Sequence, residues 1–126
     1  MNLKEKLLRF KQRHAHQAGE YLVAMETAVG ADVYCEHKSL CANNVGLSIG
    51  FGSFAQALSD NTLTDDEIIS SFRENIEHHK EKAKKCELGA NAAHEPDEYA
   101  RIKAEGSKHL GQAVAFETAL TLFMEL

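Results

Sequence analysis

Three histidines, His14, His79 and His109, fall within the apolar arcs of helical patterns. Each lies near the middle of its own pattern, so antiparallel packing would bring the imidazoles to similar heights. Glu117 falls inside the arc of the last pattern, and Glu26 on the shoulder of the first. Imidazole nitrogens and carboxylate oxygens ligate zinc, iron or manganese, and facing helices of a bundle can deliver both kinds of donor. These five residues form the candidate metal set. The competing expectation is that each imidazole is a core residue bonded to a neighbour such as Tyr21, Tyr99 or Glu117, because buried polar groups normally find ordinary partners. A di-iron carboxylate site would need Glu-x-x-His on two helices. That spacing occurs nowhere in the chain.

A second set of donors is Cys35, His37 and Cys41, with Cys86 or His94 to complete it. Thiolate and imidazole suit zinc, but zinc fingers and ribbons use closely spaced cysteine pairs that this sequence lacks. Gly46-Leu47-Ser48-Ile49-Gly50 matches the G-x-S-x-G string of a nucleophile elbow. That chemistry requires a strand before the serine, a helix after it, and a supporting histidine and acid. A short chain that reads as helices cannot supply the sheet, so chance glycines are the expectation. His16 with Glu20 and His94 with Glu98 keep an H-x-x-x-E spacing at exposed or terminal positions, and His78 is expected to face water. No phosphate-binding loop, dinucleotide fingerprint or aromatic–basic stacking platform is present.

The elements that must carry these residues are helices. Leu3, Leu7, Phe10, Ala18, Tyr21, Leu22, Met25, Ala28 and Val29 share one side at 100° per residue, predicting a helix over about 2–29. It ends near Gly30 or runs on, since Val33 and Leu40 keep the same side. Residues 45–58 alternate apolar residues with glycine and serine; a short, closely packed helix is favoured over a strand that would have no partner. Thr64-Asp65-Asp66-Glu67 is a capping box, and Ile68, Ile69, Phe72, Ile76, Ala83 and Cys86 form the stripe of the helix that follows. Pro96 opens the last helix, whose arc runs from Tyr99 to Met124. Val23-Ala24-Met25-Glu26-Thr27-Ala28-Val29 is echoed by Val114-Ala115-Phe116-Glu117-Thr118-Ala119-Leu120 near the ends of the first and last helices, which are therefore expected to frame the fold.

The expected fold is one all-α domain over residues 1–126, an antiparallel bundle of about four helices with a short Gly-rich apolar second element. At 126 residues the chain can bury about two-thirds of its unfolded surface without staples. No apolar run approaches the roughly 20 residues needed to span a bilayer. The charged N-terminus has no apolar segment behind it, and three cysteines suit a reducing cytoplasm. Lys4, Lys6, Arg9, Lys11 and Arg13 outweigh Glu5 at the start, whereas acidic residues dominate 60–77. The early basic residues scatter around their helix and the net charge is −5, so no nucleic-acid partner is expected. With no complete catalytic constellation, the chain reads as a cytoplasmic protein-interaction module with a protein partner, and as a homo-oligomer. Gly46, Gly50, Phe51 and Phe54 are its candidate interaction residues, and no cofactor is expected. The alternative is a zinc or iron bundle built on the five-residue set.

Overall fold

The computed structural model describes residues 1–126 and contains four α-helices: α1 (Leu3–Glu26), α2 (Ala31–Leu58), α3 (Asp65–Asn91) and α4 (Pro96–Met124). Each start has a local cause. The Asn2 side chain accepts the Glu5 backbone N–H at 2.9 Å and caps α1. Thr64 and Glu67 form the reciprocal capping box of α3, and Pro96 occupies the first turn of α4. Between α1 and α2 the chain turns at Gly30, whose φ of 93° suits a residue without a Cβ.

The second element is not short. α2 runs for 28 residues and absorbs both the 31–44 stretch and the glycine-rich 45–58 stretch. Its glycines survive in a helix because tertiary packing outweighs propensity. A Cβ at Gly46 would collide with the backbone carbonyl of Lys108, and one at Gly50 would stand 2.5 Å from the Ala115 Cβ. α2 and α4 approach along this stripe. They run in the same direction: Asn43 lies beside Gly111, and Gly50 beside Gln112 and Ala115. They form the central pair. α1 packs on α2, α3 packs on α4, and α1 meets α4 only marginally. The echoed segments of α1 and α4 therefore do not frame the fold.

The contacts reveal a different internal relation. His14 bonds Asn44 and His79 bonds His109, both pairs 30 residues apart and the second displaced by 65 residues from the first. Gly46 abuts the Lys108 carbonyl and the Gln112 nitrogen; Gly111 abuts the Asn43 carbonyl and the Leu47 nitrogen, which are the positions that the same displacement exchanges. Phe51 lies 5.8 Å from the His14 ring, and Phe116 lies 5.8 Å from the His79 ring. Lys38 sits over Tyr34 as Lys103 sits over Tyr99. The α1–α2 and α3–α4 hairpins are thus related by a local twofold axis. It runs along the helices between Gly50 and Ala115.

The apolar core gathers at one end, where Leu7, Phe51, Phe54, Phe72, Phe116 and Leu120 are buried together. The Phe54 and Phe72 rings lie 4.4 Å apart, joining the two hairpins beneath the central crossing. Towards the other end apolar side chains remain exposed, among them Leu22, Val23, Val29 and Leu88.

Candidate functional site

Polar side chains meet near mid-height, one cluster in each hairpin and a link between them. In the first hairpin the His14 Nδ1–H donates to Asn44 Oδ1 at 2.9 Å, and Asn44 Nδ2 donates to the Leu40 carbonyl. At the central crossing Asn43 Nδ2 donates to the Ser107 carbonyl at 3.1 Å. In the second hairpin His79 Nδ1 and His109 Nδ1 stand 2.9 Å apart, with ring centroids 5.1 Å apart and planes at 28°. One of these nitrogens carries the shared proton and the other accepts it. Helical periodicity places both residues on facing stripes of α3 and α4.

Burial lowers the pKa of both imidazoles. For His79 the next cause is the charge of His109, followed by His78 and Lys82. For His109 it is Lys82, opposed by Glu105. The pair is therefore held neutral to lower pH than a free histidine. Such a pair can store or pass a proton, and its close nitrogens could become neighbouring ligands of one metal ion.

The five candidate metal residues are distributed as follows. His79 and His109 come together. His14 occupies the matching place in the other hairpin, on the far side of the central α2–α4 pair. Glu117 forms an ion pair with Lys80 on the half-exposed surface, and Glu26 is exposed in the last turn of α1. Similar height did not suffice for convergence, because α1 and α3 face different grooves. No group of three histidine, cysteine or acidic side chains is placed to hold a metal.

Cys35, His37 and Cys41 all lie on α2, where residues two apart point to opposite sides of a helix. His37 instead lies against Tyr21, with a ring-centroid distance of 6.0 Å and a buried Nδ1 that has no hydrogen-bond partner. All three cysteines are free thiols, and burial raises the pKa of Cys41 and Cys86. His94 is exposed in the loop before α4. Ser48 is buried in the middle of α2, not on the strand-to-helix turn that a nucleophile elbow requires.

The candidate interaction residues are occupied within the chain. Gly46 and Gly50 are covered by α4, and Phe51 and Phe54 are 4% and 0% exposed in the core. The close approach that the glycines license is made between α2 and α4. Exposed apolar residues lie elsewhere, and several are related by the local twofold: Ile49 with Val114, and Val23 with Leu88. Sequence periodicity placed no special weight on these pairs, because one apolar residue on a polar helix face is an ordinary occurrence. A groove of about 800 Å³ runs between α3 and α4 and is lined by Glu77, Lys80, Glu81, Lys84, Lys103 and Leu110, among others. Its mixed charges suit a polar surface more than a small apolar ligand.

No helix is long and apolar enough to cross a membrane. Comparison with protein-family models, curated proteins and solved structures finds no match for the chain.

Proposed function

We propose that this chain is a small cytoplasmic helical interaction module that works by associating with further copies of itself. The observation that carries this reading is its surface. The accessible area is 7820 Å², whereas a folded monomer of 13.9 kDa is expected to expose about 6,700 Å². The excess of about 1,100 Å² is comparable to the roughly 800 Å² that each partner buries in a standard interface. Exposed apolar residues at Leu22, Val23, Val29 and Leu88 supply part of it. Light scattering on the chromatographed protein tests the reading. The expected result is a mass above 13.9 kDa that rises with concentration; the monomer mass at every concentration overturns it.

A second reading rests on the 2.9 Å separation of the His79 and His109 nitrogens. That spacing suits neighbouring positions around a transition metal bound at about 2.0–2.1 Å, the remaining positions being taken by water or by a partner's donors. Competition with a coloured chelator tests it. Zinc uptake that disappears in His79→Ala supports the reading, and equal uptake by the variant overturns it.

A further inference from the structure

The outer helices differ from the central pair in having one main neighbour each, which leaves the outward flanks of α1 and α3 open. The local twofold runs along the helix direction, so it places each α1 residue at the same height as the α3 residue numbered 65 higher. At those equivalent outward positions the charges are opposite. Arg9 corresponds to Glu74, and Glu20 corresponds to Lys85; all four are exposed. Arg13 lies at the height of Glu77, one position from its strict equivalent. Nearer the C-terminal ends the apolar Val23 corresponds to Leu88, and these are 63% and 69% exposed. α1 is thus basic and then acidic along its outward flank, α3 is acidic and then basic, and each flank ends in an apolar side chain.

α1 and α3 also run in the same direction. A second copy displaced sideways, without rotation, brings its α1 beside α3 of the first with all these heights in register. Arg9 then faces Glu74, Glu20 faces Lys85, and Val23 meets Leu88. A second copy turned by half a revolution about an axis along the helices would instead set α1 against α1, or α3 against α3, with like charges in register, which is disfavoured.

We infer that copies of this chain associate edge to edge, α1 of one against α3 of the next. This inference rests on the self-association proposed above and names its surface. The two flanks are different surfaces, so the contact is heterologous: a pair of copies keeps one edge of each kind free, and because the operation contains no rotation the series grows as an open row instead of closing. The groove lined by Glu77, Glu81 and Lys84 borders the α3 edge and provides polar partners beside the apolar contact.

The test uses two charge-reversal variants of the full chain. One carries Arg9→Glu and Glu20→Lys, and the other Glu74→Arg and Lys85→Glu. All four positions are exposed, and the only local interaction touched is the exposed His16–Glu20 pair within α1, so circular dichroism should show unchanged helicity. Measured by light scattering, each variant alone is expected to lose the mass above the monomer. An equimolar mixture is expected to recover it, because each altered edge then meets its complement. Variants that assemble as the parent does, or a mixture that stays monomeric while the parent assembles, overturn the edge pairing and leave self-association standing. A parent that is itself monomeric at all concentrations overturns both.

Discussion

Replacing Gly46 by alanine should destabilise the protein although alanine is the better helix former. In a solvated helix the exchange contributes about 0.5–1 kcal/mol of stability. At Gly46 the new Cβ would fall on the Lys108 carbonyl oxygen, with the Gln112 nitrogen only 3.1 Å away. These are backbone atoms of a packed helix, so relief requires α2 and α4 to move apart, which separates the buried surfaces on either side. Overpacking of this kind costs about 1–3 kcal/mol, and a backbone obstacle places it at the upper end, giving a net loss of about 2 kcal/mol. The local twofold makes a further demand: Gly111→Ala, which meets the Asn43 carbonyl and the Leu47 nitrogen, should cost nearly the same. Gly19 provides the control. It lies in α1 with nothing within 4 Å of a Cβ, so Gly19→Ala should stabilise by about 0.5–1 kcal/mol. Urea denaturation followed by far-ultraviolet circular dichroism measures all three. If Gly46→Ala and Gly111→Ala behaved like Gly19→Ala, the close α2–α4 crossing would be refuted.

Three other substitutions or conditions report on different parts of the fold. Phe54 is completely buried among Phe72, Phe123 and their neighbours, and Phe54→Ala should cost about 3–5 kcal/mol in the same denaturation experiment. Thr64→Ala removes one side of the capping box and should cost about 1 kcal/mol, read as a lowered denaturation midpoint. The His79–His109 pair has both pKa values lowered in the folded protein, so the unfolded chain binds more protons in acid; its contribution is complete above about pH 6.5 and falls away as the pH drops through and below that value. His109→Asn, which copies the His14–Asn44 pair of the other hairpin, should flatten the decline in melting temperature between neutral and mildly acidic pH.

Much of the architecture could be read from local signals. The α3 start was legible in Thr64 and Glu67, the α4 start in Pro96, and the all-α class in the 3.6-residue periodicity. α2 was harder, because three of its residues in the 45–58 stretch are glycines and their helical state depends on a partner helix far away in sequence. The visible echo between Val23–Val29 and Val114–Leu120 pointed at the wrong pair of helices, since alanine-rich amphipathic segments look alike wherever they occur. The structural repeat is written in few residues: His14 and His79, Tyr34 and Tyr99, Lys38 and Lys103, Gly46 and Gly111, Phe51 and Phe116. These are the positions at which contacts recur, and most of the surface between them differs, including the charges on α1 and α3. Inward histidines were found by periodicity, but periodicity gives a face and a height. It does not say which neighbour occupies the groove, and so it could not separate His14 from the His79–His109 pair.

The edge pairing can be observed without altering a residue. Protein grown on heavy nitrogen is mixed with ordinary protein and treated with a carbodiimide, which joins amines to carboxylates in contact. Lys80 and Glu117 are paired within one chain and should join as same-isotope products, which shows that the reaction works. Edge pairing of α1 with α3 gives a Glu20–Lys85 link whose two peptides carry mixed isotopes. Same-isotope Lys80–Glu117 links with no mixed-isotope link between α1 and α3 would contradict it.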